Sequence, residues 1–191
     1  RDRRHVTSAN HLVPCQEISI DHFVCSTKGR LFSGFGKARD KDMFDGGCIF
    51  VDHASGYVHV ELQTHLNTHE TVLAKDRFES MCRDHGVIPQ AYLSDNGLAY
   101  TSQGFTQQLS LFKQIIRFTG VGAHHHNGRA EWSIQSIMSI ARTMMLHAAI
   151  HWPDVADPTL WRMAVQHAAF LFNHIPEPST GLSESDIFTK S

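Results

Sequence analysis

The stretch from Cys48 to Leu62 fixes how this chain can begin to fold. Cys48-Ile49-Phe50-Val51 is an unbroken apolar run, which suits a strand covered on both faces. Asp52-His53-Ala54-Ser55-Gly56 supplies a turn, and Tyr57-Val58-His59-Val60-Glu61-Leu62 then alternates as a half-buried strand does. Strands this close can only pair antiparallel. An earlier strand over Glu17 to Val24 puts Ile18, Ile20 and Val24 on one face and Ser19, Asp21 and Phe23 on the other. The connection between them, Ser26 to Gly47, carries five glycines and the cations Lys28, Arg30, Lys37, Arg39 and Lys41. It reads as a flexible basic insertion over 26–47, able to bring charge to a phosphate backbone.

Beyond the meander the pattern changes to strand-helix alternation. Asn67 with Glu70 has the form of a capping box for a helix running to His85, with Gly86 as its C-terminal stop. A strand at Ala91 to Ser94 ends in Asp95-Asn96-Gly97, a turn signal. A short helix over Ser102 to Phe112 and a strand over Gln114 to Phe118 follow. A long helix then runs from near Asn127 toward Trp152, with Ile134, Ile137, Met138, Ala141, Met144, Met145 and Ala148 on one stripe. Asp157-Pro158 opens a last helix. The order β-β-β-α-β-α-β-α-α predicts an α/β domain with a five-stranded mixed sheet flanked by helices. Residues 1–14 read as an arm, 15–176 as the domain and 177–191 as a C-terminal extension.

Composition narrows the function classes. With 41% hydrophobic and 19% charged residues in 191, the chain is an ordinary globular domain, and no apolar run nears the ~20 residues of a membrane span. A net charge of -2 argues against gripping nucleic acid by bulk charge alone, but leaves room for an acidic site inside a neutral domain. Four cysteines without a CxxC pair predict free, reduced thiols rather than a zinc ribbon or disulfide framework. His124-His125-His126 reads as a solvated loop. Opening at Arg1 suggests a domain from a longer polypeptide.

Three acids stand in unusual places. Asp21 lies inside the first strand, Asp95 ends the fourth, and Glu131 extends the buried stripe of the long helix toward the sheet. Each alone has a structural explanation: a half-exposed face, turn chemistry, or a favourable helix dipole. Brought together they would repel one another, and a divalent cation would relieve that repulsion. An all-carboxylate donor set suits Mg²⁺, and two such ions serve phosphodiester cleavage or transfer.

Those residues carry a resemblance. Thirty-five residues separate Asp95 from Glu131. Ile20-Asp21-His22-Phe23, Ser94-Asp95-Asn96-Gly97 and His126-Asn127-Gly128-Arg129-Ala130-Glu131 look like the three active-site blocks of integrase catalytic cores. The last block, with Ala141-Arg142-Thr143-Met144, most resembles the copia-type LTR retrotransposon branch, and Phe50 to Tyr57 matches that family's second-strand turn. The resemblance implies an RNase H-like fold and a D,D-35-E triad of Asp21, Asp95 and Glu131 as catalytic residues and ligands of two Mg²⁺ or Mn²⁺ ions. It implies 3′-end processing and strand transfer of element DNA into target DNA, and a homo-oligomer, expected to be a dimer of cores. A parent protein with a zinc-binding N-terminal region and a basic C-terminal one is also implied, acting in the nucleus after a cytoplasmic particle. DNA contacts are expected from Asn127, Gly128, Arg129, Gln135, Lys37, Arg39 and Lys41.

The third block departs from the copia pattern. His126 replaces a glutamine, Trp132 an arginine, and Gln135 a commonly basic residue. Asp52 is expected to be a turn residue rather than a fourth ligand. Two other readings compete: an RNase H-type nuclease, which would need Glu70 as a ligand, and a decayed or domesticated module that binds DNA or dimerises without catalysis.

Overall fold

The computed structural model describes residues 12–31, 43–119 and 128–189. Strands β1 (Ile18–Gly29), β2 (Phe44–Asp52) and β3 (Val58–Gln63) form the antiparallel meander. Helix α1 (Thr68–Asp84) leads to β4 (Ala91–Ser94), helices α2 (Leu98–Thr101) and α3 (Gln103–Leu111), and β5 (Ile115–Phe118). Helix α4 (Gly128–His151), a 3₁₀ turn (Pro158–Leu160), α5 (Trp161–His174) and α6 (Glu184–Thr189) complete the chain. The sheet order is β3-β2-β1-β4-β5, with β4 and β5 parallel to β1. Among the described residues no helix is long and apolar enough to cross a membrane.

Period-two alternation splits the core between the two faces. Ile18, Ile20, Cys48 and Phe50 pack with Ala74, Phe78 and Cys82 of α1. Phe23, Ile49, Val51 and Val58 pack on the other face with Ile137 and Ala141 of α4 and Val165 and Ala168 of α5. Asp21 shares the second face, so it points to the α4 side. Val24 is 72% exposed, because His22 already meets Thr71 in the first turn of α1 and β1 runs on past that cover. Asn173 of α5 bonds both the N–H and the carbonyl of Val58, covering part of the β3 edge.

The hairpin between β1 and β2 corrects the expected insertion. Residues 26–29 and 44–47 belong to the strands, with Gly29 opposite Phe44 across a bulge that follows Val24. Here glycine gives close approach, not slack. A Cβ on Gly46 would stand 2.0 Å from the Phe23 carbonyl oxygen, and one on Gly47 would stand 2.4 Å from that of Glu61. Lys37, Arg39 and Lys41 lie outside the described residues, as do the histidine run and Asn127.

Other boundaries moved for local reasons. The expected helix over 102–112 starts at Gln103 and gains a separate turn, α2, ahead of it, with Ser102 capping α3 through Phe105 N–H. The last helix begins with the 3₁₀ turn, where the Asp157 carboxylate caps the Thr159 N–H. Past residue 176 the chain returns to the domain: Phe188 of α6 is fully buried and stacks on Tyr57. The cysteines are free, with Cys15 and Cys82 buried 3.4 Å apart.

Candidate active site

Register brings the first two acids together. Ile18 pairs with Tyr92 and Ser19 with Leu93 in the parallel β1–β4 ladder. Carrying that offset two residues on sets Asp21 level with Asp95, on strands about 4.8 Å apart. The ladder stops there because β4 ends at Ser94 and the chain turns. That turn is built to hold Asp95. Its Oδ1 accepts Gly97 N–H at 3.0 Å, Asn96 Nδ2 donates to the Thr119 carbonyl at 3.0 Å, and Thr119 N–H returns to Ser94 O at 2.9 Å. A side chain at Gly97 would press on both Asp95 Oδ1 and the Tyr100 ring.

Glu131 comes from the first turn of α4, one helical step before Ile134 and two before the buried Ile137. Its charge and that of Asp95 both act on Asp21. Burial, then those two charges, push the Asp21 carboxyl up to about 6, against the pull of a 2.8 Å bond from His22 N–H. Asp95 and Glu131 therefore both lie within electrostatic reach of Asp21, beside the carboxyl end of β4, where open α/β sheets bind ligands.

Among the described residues, no three His, Cys, Asp or Glu side chains stand close enough to hold one ion between them. The donor set still fits a hard divalent cation: three half-buried carboxylates, no thiol, and an Asp21 carboxyl whose pKa burial and then its neighbours' charges raise.

Neighbouring residues have definite jobs. His22 turns away from the acids, stacking on Tyr100 with ring centroids 4.7 Å apart and bonding Thr71 at 3.0 Å; burial lowers its pKa to about 4. Asp52 is structural, as expected: it accepts from Cys15 N–H, Ser55 N–H and Ser55 Oγ and is 1% exposed. Glu70 is occupied elsewhere. Asn67 caps α1 through Glu70 N–H, but the Glu70 carboxylate turns to Thr64, accepting its N–H at 2.8 Å and its hydroxyl, so only half of the capping box forms.

Of the expected DNA contacts, Gly128 opens α4, and Gln135 is exposed beside Trp132 and Phe172 in a shallow groove. Arg129 is exposed, yet its Nη1 donates to the His53 carbonyl at 2.6 Å. Sequence reasoning passed over His53 and Ser19, whose side chains meet at 2.7 Å. The only sign in the sequence was a serine two residues before Asp21 on the same strand face.

The chain is similar to the catalytic core domain of HTLV-2 integrase in complex with magnesium, in a trimeric form (TM-score 0.64, 18% identity, 93% of this chain and 98% of that one). It is equally similar to the dimeric form (TM-score 0.63, 18% identity, 93% and 97%). A simian T-cell lymphotropic virus intasome bound to PP2A regulatory subunit B56 gamma matches 93% of this chain with 55% of its own (TM-score 0.66, 16% identity). The fold is that of integrase catalytic cores, the RNase H-like fold. No protein-family model matches the chain, and neither does any curated protein.

Proposed function

We propose that this chain is the catalytic core of an LTR retrotransposon integrase of the copia type, which joins the ends of element DNA to target DNA. One observation carries the reading: in an integrase-core fold, acids from mid-β1, the end of β4 and the first turn of α4 converge until the charges of two raise the pKa of the third. Asp21, Asp95 and Glu131 would hold the two Mg²⁺ or Mn²⁺ ions. Such a pair needs no three acids on one ion. When bound, the ions supply Lewis-acid stabilisation of phosphoryl oxygens and a readily deprotonated water or hydroxyl.

The chain's own residues orient the substrate. The N-terminus of α4, at Gly128, would offer backbone N–H groups and the positive end of the helix dipole to a phosphate. Asn127, Gly128, Arg129, Gln135, Lys37, Arg39 and Lys41 are the proposed DNA contacts. In end processing, a water oxygen bonds to phosphorus as the P–O3′ bond breaks, leaving a free 3′-hydroxyl. In strand transfer that hydroxyl attacks a target phosphorus, and the target's own 3′ oxygen leaves with the proton. The parent is proposed to act in the nucleus as a homo-oligomer, with zinc-binding N-terminal and basic C-terminal regions.

The test is cleavage and joining of duplexes bearing element ends by the full-length parent in Mn²⁺. Asp95→Asn should abolish both steps while Glu70→Ala retains them. Loss of metal-dependent cleavage in Glu70→Ala but not in Glu131→Ala would favour an RNase H-type nuclease. Metal-independent DNA binding with neither step in the wild type would favour a non-catalytic module.

A further inference from the structure

Two residues before Asp21 and two residues before Glu131 the chain is tied together. Ser19 lies on the same face of β1 as Asp21 and is fully buried. Its Oγ is 2.7 Å from His53 Nε2. His53 sits in the β2–β3 turn, held by its own N–H on the Glu17 carbonyl at 2.9 Å. Its carbonyl in turn accepts Arg129 Nη1 at 2.6 Å, from the first turn of α4. We infer that the chain Ser19–His53–Arg129 is a latch that sets the spacing of Glu131 from Asp21, making His53 and Arg129 positioning residues for the metal site. The inference rests on the proposed function and goes beyond it, because it reassigns Arg129 from DNA contact to site geometry.

Strand spacing and the turn at Gly97 place Asp95 against Asp21, so that pair needs no further device. Glu131 has no such ladder. It rides on a helix whose outer face is exposed and whose first-turn N–H groups have no partner within the helix. The buried contacts of α4 run through Ala130, Ser133 and Ile137, on the face toward the core, while Arg129 beside them is exposed. A guanidinium anchored to a turn that is itself anchored to β1 supplies a constraint on that exposed side. The link closes a ring through β1: Asp21, Ser19, His53, Arg129, Glu131. Loss of an outer partner of a metal site typically costs 10–100-fold in affinity.

The experiment measures Mn²⁺ affinity by calorimetry and electron paramagnetic resonance, without DNA, on the 191-residue chain and its variants. Arg129→Ala should weaken Mn²⁺ binding about tenfold. Arg129→Lys, which keeps a donor, should restore most of it. His53→Ala should weaken it similarly, and the double variant should lose no more than either alone. Wild-type Mn²⁺ affinity in Arg129→Ala, with DNA affinity and its salt dependence reduced, would make Arg129 a phosphate contact and overturn the latch. Asp21→Asn and Asp95→Asn serve as controls. If they too leave Mn²⁺ binding intact, the proposed function fails; if they abolish it while the latch variants do not, the latch alone fails.

Discussion

Two clusters of charge lie on opposite sides of β4, and they are built on opposite plans. Under α1, Glu79 is almost wholly buried and fully answered. Lys75 Nζ lies 2.8 Å away, Tyr92 and Gln114 each donate at 2.6 Å, and Arg83 approaches to 3.9 Å. Lys75, itself fully buried, also sits over the Tyr92 and Phe112 rings. Around Asp21, Asp95 and Glu131, among the described residues, no Lys, Arg or His makes an ion pair with any of the three. Asp21 and Asp95 each accept a backbone N–H nearby in their own strand or turn. A buried charge supplied with partners by its own fold is structure. Asp21, Asp95 and Glu131 have no such ion-pair partner among the described residues, and the proposed cations would supply one.

Breaking the compensated cluster should have the largest effect. Glu79→Ala strands the Lys75 ammonium and should cost about 3–5 kcal/mol in urea unfolding. Adding Lys75→Met should recover most of that, since an apolar residue of similar length needs no counter-charge. If Glu79→Ala unfolds at wild-type denaturant, the contrast between the clusters is void.

The other cluster should respond with the opposite sign. The Asp21 carboxyl is raised from an ordinary 3.8 to about 6, so the folded state holds its proton more tightly than the unfolded one. Its stabilising contribution is complete below the ordinary value and disappears as pH rises through about 6. Asp21→Asn keeps the group neutral, and without metal should stabilise the fold by about 1–3 kcal/mol at pH 7.5. Mn²⁺ should raise the melting temperature of the wild type but not of this variant. That increment should itself shrink below about pH 6, as protons compete for Asp21. A loss of metal-free stability in Asp21→Asn would show that the acid is compensated after all.

The sequence showed what periodicity and spacing encode. Apolar runs and alternation marked the five strands and put Asp21 on the face opposite Ile18 and Ile20, and the stripe through Ile134 and Met138 set the expectation that Glu131 faces the sheet. Features that depend on contact across the fold were not legible. Gly46 and Gly47 signal flexibility in a sequence, but in the structure they make room for the Phe23 and Glu61 carbonyls. Phe188 appeared to lie in a tail, since nothing local reveals that it will stack on Tyr57. His53 and Arg129 are 76 residues apart and joined through a backbone carbonyl, which leaves no pattern of side-chain types to read.

The smallest expected effect tests the contrast at its finest. Glu70 is an acid near the site in sequence logic, yet its carboxylate is satisfied locally by Thr64. It belongs with Glu79 rather than Asp21. Glu70→Ala should therefore cost only about 1 kcal/mol, one net hydrogen-bonded pair at a part-exposed helix start, and leave Mn²⁺ affinity at the wild-type value. Calorimetric titration beside Asp95→Asn would measure both quantities in one series. Should Glu70→Ala weaken the ion as Asp95→Asn does, α1 contributes to the cation site. Local satisfaction would then no longer distinguish structural acids from functional ones in this fold.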